Sequence, residues 1–417
     1  MKQLIIILII LNVLPSLAQQ SITLEECYTL VTENYPLAKQ SLLMEVQNKL
    51  DADVISISKL PHFSLDAQAT YQSDVIEIPI PNANIESLNK GQYRATLSVN
   101  QLIYNGGLTN ASLKVKSAQL KTRQKQVEVS LYQLKQQINQ LYFSILLAQE
   151  SELLLNSKQT LLQAKLKEVQ SGIKYGVILP SSDKILEAEL LKIRQQFQGL
   201  ESNKTTLIET LSSLINQPLS ASALFKNPPL IETQLQTELT RPELEFFQLK
   251  KEEIQNLESL MSKQNAPKLL GFATGGYGNP GLNMLDNSFQ TFYTVGVKLN
   301  WNVFDWNSNR KQRKSLSINK DLVDTETEIF ILNTNIELNK QLKEIDKIEN
   351  FITSDLDIIN LRKEVLQTAE SQLRNGVITS SAYITELTNL YEDENTLVKH
   401  KTELQLTKAN YNVIKGQ

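Results

Sequence analysis

This 417-residue chain has one cysteine, Cys27, so no disulfide can form within it. It has two histidines, His62 and His400, too few and too far apart in sequence for a histidine-rich metal site. Neither is placed as a catalyst: His62 opens an alternating segment and His400 lies in a charged helical stretch, and both read as solvated. The chain contains no phosphate-binding glycine loop, metal-ligand cluster or nucleophile elbow, which argues against an enzyme and a cofactor. Charge of one sign is lacking too: 42 basic and 45 acidic residues leave a net charge of −3, with no argument for nucleic acid. Beyond the first residues no run approaches the ~18 consecutive apolar residues of a membrane-crossing helix. Only 14 Gly and 12 Pro punctuate the chain, which implies long uninterrupted elements.

The opening MKQLIIILIILNVLPSLAQQ reads as a secretory signal. Lys2 supplies the positive start, Leu4 to Leu11 the apolar stretch, and Ser16-Leu17-Ala18 a small-x-small cleavage site, with removal expected after Ala18. No Cys stands at that site, so a lipid anchor is not indicated. A secreted chain without a helical span is periplasmic, extracellular or an outer-membrane β-barrel, and the last must be sought strand by strand.

The chain then repeats itself. Tyr93 to Asn105 (YRATLSVNQLIYN) is echoed by Tyr293 to Asp305 (YTVGVKLNWNVFD), Asn100 matching Asn300 at an offset of 200. Lys174-Tyr175-Gly176-Val177-Ile178 is echoed by Arg374-Asn375-Gly376-Val377-Ile378 at the same offset, and Pro36 and Pro61 by Pro242 and Pro267 at 206. Such a register predicts two copies of one unit, each half of a pseudo-symmetric body. The expected organisation is a signal over 1–18, a first repeat over 19–218, a linker over 219–241 and a second repeat over 242–417. Strands are expected over about 62–72 and 91–104, then about 268–278 and 290–304. Helical hairpins are expected over about 108–216 and 308–415.

The segment from Leu108 to Ser171 has neither Gly nor Pro, and as a helix of about 64 residues it would reach roughly 95 Å. Ser308 to Asn375 is equally free of breakers. There Ile331, Leu338, Ile345, Ile352, Ile359, Leu366 and Leu373 fall every seven residues, and Val127, Leu131, Leu134, Ile138, Leu141, Ile145 and Ala148 step by four and three in the first copy. That spacing predicts coiled-coil packing. Each long helix should end at a glycine, Gly176 or Gly376, with a Ser or Thr capping the returning helix. Ahead of the long helices the pattern has period two: Phe63, Leu65, Ala67, Ala69 and Tyr71 alternate with polar residues, as do Tyr93, Ala95, Leu97 and Val99, and Tyr293, Val295, Val297 and Leu299. Lys268 to Tyr277 is less clean, because Leu270 and Phe272 fall on the face that should be polar. Segments of about ten residues are long enough to cross a membrane when tilted. Tyr71, Tyr93, Tyr277 and Tyr293 at one end, and Phe63, Tyr104, Trp301 and Phe304 near the other, suggest two interfacial girdles. The loops Gln72 to Lys90 and Gly278 to Ser288 would then be external tips.

With this order of elements, its strand-end motifs NQLIYNGG and NWNVFDWN and its Gly-Val tips, the chain resembles the bacterial outer membrane efflux protein family, the TolC-like channels. The resemblance implies a mixed fold of helices and transmembrane strands in two pseudo-symmetric repeats. It implies a homotrimer whose four strands per chain close a 12-stranded β-barrel in outer membrane lipid, continued by a periplasmic α-helical tunnel. It implies the exit duct of a tripartite efflux or type I secretion system, conducting passively from an inner-membrane pump through a periplasmic adaptor (membrane fusion) protein. Residues carried over as adaptor-docking tips are Tyr175, Gly176, Val177, Ile178, Ser181 and Ser182, with Asn375, Gly376, Val377, Ile378, Ser380 and Ser381. Asp183 and Glu386 stand near the expected periplasmic entrance, where the family's acidic ring would otherwise fall on Ala382 and Thr385. The rival reading is a periplasmic coiled-coil adaptor or other structural protein, but adaptors carry one hairpin between β domains, not two hairpins each preceded by paired strands.

Overall fold

Breaker-poor segments become long helices in the computed structural model, which describes residues 21–76, 87–229 and 238–417. The expected signal sequence lies outside the described residues, as do the middle of the loop Gln72 to Lys90 and the middle of the linker Leu219 to Arg241. The order is β1 (Ser21–Ile22), α1 (Leu24–Asn34), α2 (Ala38–Ile57), β2 (His62–Tyr71), β3 (Gly91–Tyr104), α3 (Leu108–Lys174), α4 (Ser182–Leu214), β4 (Leu224–Phe225), α5 (Pro242–Lys263), β5 (Lys268–Asn279), β6 (Gln290–Asn300), α6 (Ser308–Arg374) and α7 (Ser380–Lys415). Both α3 and α6 run for 67 residues, so the two breaker-free segments build helices of equal length. Among the described residues no helix is long and apolar enough to cross a membrane.

The chain divides into two compact units, each drawing on both halves of the sequence. One takes residues 21–40, 127–229, 238–244 and 329–417. Its core joins Ile138, Tyr142 and Ile145 of α3 to Ile208 and Leu211 of α4, Cys27 and Val31 of α1, and Ala409 of α7. The stepped stripe of α3 is thus the buried one. On α6 the seven-residue stripe is buried at Ile345, Ile359 and Leu373 but exposed at Ile331. The short parallel pair β1–β4 aligns Ser21 with Leu224 and Ile22 with Phe225. It pins the linker: Tyr142 Oη donates to the carbonyls of Ile22 (3.0 Å) and Lys226 (2.7 Å), and Gln149 exchanges two hydrogen bonds with the Phe225 backbone. Helix α1 is capped by Thr23-x-x-Glu26, a capping box with both of its hydrogen bonds made.

The other unit takes residues 41–76, 87–126 and 245–328 and holds one antiparallel sheet in the order β2-β3-β5-β6. Strand β6 ends at Asn300, so Trp301 and Phe304 lie past the sheet, not within its last strand as the sequence suggested. Helix α2 buries none of its residues and leaves Leu43, Val46, Leu50 and Val54 exposed at helical spacing.

Candidate functional site: an exposed apolar sheet face and a pair of helical tips

Strand register decides which side chains share a face, because alternate residues point to opposite sides. Phe63, Val99, Ala273 and Val295 stand in one row across the four strands, and Leu65, Leu97, Gly275 and Tyr293 in the next. This face is apolar and open: Leu65 is 77% exposed, Val295 71% and Val297 70%. A sheet in a water-soluble protein turns such a face onto its core. The opposite face carries the polar row Ser64, Ser98, Thr274 and Thr294, with Ser98 and Thr274 hydroxyls 3.2 Å apart.

Irregularity in β5 has a local cause. Phe272 stands opposite Gly296 and lies over it, and Phe292 stands opposite Gly276 and lies over that. Each ring on the polar face therefore fills the space its glycine partner leaves, and the Arg94 guanidinium sits 5.5 Å from the Phe292 ring centroid. Residue alternation alone does not reveal this pairing.

The four tyrosines form an ordered line on the apolar face. Tyr71 is opposite Gly91, Tyr93 opposite Ala69, Tyr277 opposite Ala95 and Tyr293 opposite Gly275. Each successive tyrosine sits two residues further from the loop ends of its neighbours. Tilted strands bring such a staggered line to one level. Phe289 stacks between Tyr93 and Tyr277, with centroids 6.2 and 5.4 Å away.

Both edges of the sheet are open: among the described residues β2 pairs only with β3, and β6 only with β5.

In the other unit, α3 and α6 end alike. Gly176 and Gly376 are left-handed, with φ of 73° and 68°. Val177 N–H donates to the Gly172 carbonyl (2.9 Å) and Gly176 N–H to that of Ile173 (3.0 Å); Val377 and Gly376 repeat this on Gln372 (2.8 Å) and Leu373 (3.0 Å). These are paired Schellman ends, satisfying the last helix carbonyls. The tips touch: a Cβ on Gly376 would stand 3.3 Å from the Val177 carbonyl oxygen. Tyr175, Val177 and Val377 point outward and exposed, while Ile178 and Ile378 pack on the core beneath.

The returning helices begin differently. Thr379 caps α7 by accepting from Ala382 N–H. Ser181, expected as the cap of α4, takes a left-handed φ of 71° and its side chain makes no capping bond. Ser182 and Ser380 are buried, and the Ser380 hydroxyl has no hydrogen-bond partner. Between α4 and α7 lies a groove of about 790 Å³ lined by Ser181, Lys184, Glu189, Ser381, Thr385 and Thr388. Asp183 stands 3.7 Å from Lys184, and Glu386 lies 3.6 Å from Arg362, so each acid near the expected entrance has a cation beside it.

Two lysines of α3 are buried: the side chains of Lys158 and Lys165 are 4% exposed. Lys158 binds Glu189 (3.0 Å) and lies over the Tyr391 ring; Lys165 binds Glu168 and Glu370 (2.6 and 2.8 Å) and lies over Tyr383. Burial opposes the charge of Lys165, yet its two carboxylate partners hold the ammonium above its ordinary pKa. The Lys165 hydrogen bond holds the Glu370 carboxyl below its own. These lysines tie the first hairpin to the second. His400, expected to be solvated, is instead paired: its Nδ1 lies 2.6 Å from buried Asp355 Oδ2, joining α7 to α6. His62 is exposed as expected.

No family model matches the sequence, and no curated protein matches it. Solved structures do. CusC, whose structures follow conformational changes accompanying folding and transmembrane channel formation, superposes with a TM-score of 0.68 at 12% identity, over 94% of this chain and 92% of CusC. The outer membrane protein VceC of Vibrio cholerae gives 0.66 at 13% identity, over 94% and 96%. The MtrE outer membrane channel of Neisseria gonorrhoeae, in its open state, gives 0.64 at 12%, over 94% and 89%. At these identities the likeness is one of fold, and it is to the outer membrane channels that the sequence resembles.

Proposed function

We propose, taking the outer membrane channel fold as premise, that this chain is an exit duct of the bacterial outer membrane with a periplasmic extension. One observation carries the reading: an apolar sheet face open to its surroundings, in a four-stranded sheet with both edges unpaired. Four strands cannot close a barrel, and an open edge in lipid leaves backbone groups unsatisfied at several kcal/mol each. Three copies joined β6 to β2 give a 12-stranded barrel, with Phe63, Leu65, Ala67, Leu97, Val99, Val295, Val297 and Leu299 toward lipid and the Ser-Thr row toward the lumen. The uncovered stripe Leu43, Val46, Leu50 and Val54 supports the same association, as it needs a helical neighbour.

The helices continue the duct into the periplasm. Substrates pass without nucleotide, the energy coming from an inner-membrane pump. The tips, with exposed Val177 and Val377 above a polar groove, dock the hairpin of a periplasmic adaptor that links duct to pump. Purified protein in mild detergent, its mass measured by light scattering with detergent subtracted, is expected to be a trimer. A well-folded detergent monomer would overturn the barrel.

A further inference from the structure

Beneath strand β6, on the helix side of the sheet, both side chains and backbone run against local stability. Trp306 and Asn307 are left-handed, with φ of 55° and 62°. Two hundred positions earlier the same two places are Gly106 and Gly107, with φ of 66° and 83°. The first copy thus uses the residue that adopts this conformation without strain, and the second uses an aromatic one that does not. At Gly106 a side chain is also blocked, because its Cβ would fall on that of Ala266. At Trp306 the indole projects outward, 80% exposed, with Phe304 edge-on at 4.8 Å and Trp301 and Val303 exposed beside it. Asp305 holds the turn by accepting from Asn309 N–H (2.9 Å) and Asn265 Nδ2 (2.6 Å).

The next two turns are basic. Arg310, Lys311, Arg313 and Lys314 are all exposed, and among the described residues none has an ion-pair partner. The positions 200 earlier are Asn110, Ala111, Leu113 and Lys114, with a single cation. Four cations in the first turns of α6 face the positive end of its dipole. The terminal amide of Asn309 is already taken by Asp305, so the anion-binding capacity here belongs to side chains rather than to the helix end.

We propose that Trp301, Phe304 and Trp306, with Arg310, Lys311, Arg313 and Lys314, form a binding surface for anionic phospholipid headgroups in the leaflet on the helix side of the sheet. This rests on the membrane reading above. Aromatic rings settle at the headgroup level, and guanidinium and ammonium groups bind phosphate. The surface is continuous with the open apolar face of β6, so lipid that covers Val297 and Leu299 also reaches Trp301. A second copy is the rival occupant. Antiparallel pairing of its β2 edge on β6 would bring Ser58 to His62 here, a segment with Lys59 and His62, with Asp53 of α2 five positions before it. The exposed rings beside the four cations favour lipid as the occupant.

The chain has two tryptophans in all, Trp301 and Trp306, so selectively excited tryptophan fluorescence reports on this surface alone. The assembled full chain is reconstituted into phosphatidylcholine vesicles containing brominated phosphatidylglycerol or brominated phosphatidylcholine, and flotation after alkaline carbonate washing scores membrane integration. The anionic phosphatidylglycerol is expected to quench at roughly five-fold lower mole fraction or better, a preference lost in the R310Q/K311Q/R313Q/K314Q variant while trimer and flotation persist. Trp306→Gly, which restores the residue of the first copy, is expected to keep or raise thermal stability in detergent yet weaken the preference read at Trp301. Equal quenching by both lipids, a preference that survives the quadruple change, or tryptophans shielded from both lipids by a neighbouring copy would each overturn the proposal. Abolition of the preference by millimolar inorganic phosphate at constant ionic strength would do the same, assigning the surface to a soluble anion. Failure of the wild type to float would reject the membrane reading itself, whereas flotation without lipid preference rejects only this inference.

Discussion

Phe292 and Gly276 are a matched pair across β5 and β6: a Cβ on the glycine would meet the ring at 2.5 Å and the Ala95 carbonyl oxygen at 2.8 Å. The ring can turn away, but the carbonyl belongs to the sheet ladder. Gly276→Ala is therefore expected to lower the stability of the assembled protein by about 1–3 kcal/mol, the range for overpacking. Phe292→Ala should not rescue it. Gly275→Ala, on the apolar face with its nearest neighbour at 3.9 Å, should be close to neutral. Denaturant midpoints of the three variants in detergent check this ordering.

Adjacent positions in β3 should respond oppositely to the same charge. Leu97 lies in the apolar row and Ser98 in the polar one. Arg at Leu97 is expected to cost about 2–4 kcal/mol at the middle of the proposed barrel. Arg at Ser98 loses a hydroxyl contact with Thr274 but keeps its charge in water, so its cost should be small. Quantifying assembled trimer in outer membranes compares them; equal losses would reject the face assignment.

Bulky charge at the tips should separate coupling from folding. Val177 and Val377 are exposed and lie outside the left-handed positions. Val177→Arg with Val377→Arg is expected to leave trimer level and barrel insertion intact while abolishing adaptor cross-linking and efflux. Normal cross-linking and efflux in that double variant would reject docking at the tips.

The Lys165–Glu370 link between hairpins should loosen in acid. The Glu370 carboxyl is depressed below its ordinary value of 4.5, so its contribution is complete above that pH and is lost as pH falls through the lower, folded value. Lys165 is raised above its ordinary 10.5, so its contribution is complete below that pH and is lost as pH rises through the higher, folded value. Spin labels at exposed Ser171 and Gln372 should therefore report an unchanged distance near neutrality and a broadened one in strong acid. Glu370→Gln should show the broadened distribution already at pH 7.

Cys27 should be inert in the folded protein. It is fully buried in the core with Val31 and Ile138, and burial pushes its thiol up to about 12. Maleimide labelling is expected only after denaturation, and fast labelling of native protein would contradict this packing.

Period and punctuation were enough to find the long helices, the alternating strands and the Gly-Val tips. Helical and strand periods are properties of consecutive residues, and a glycine at a helix end needs no distant partner to explain it. The same local reading placed Leu65, Leu97 and Val295 on one face before their register was known. What it could not reach depends on which residues meet. Lys158 and Lys165 carry no local sign of burial, because each is held by a carboxylate from elsewhere in the chain, Glu189 from the returning helix and Glu370 from the other hairpin. His400 read as surface for the same reason, its partner Asp355 lying on another helix. The two-residue strand β4 carries no periodic signal, since it forms only where Ser21–Ile22 offers an edge and Gln149 and Tyr142 hold its backbone. Leu270 and Phe272 looked like faults in β5 until register set Phe272 over Gly296. Sequence by itself thus determined the long helices, the four alternating strands and their order, because these follow from chain-local periodicity. Tertiary structure alone decided which charges are buried, which glycines are covered and that Trp306 is held left-handed, because each of these is settled by a contact or a backbone angle that no stretch of consecutive residues specifies.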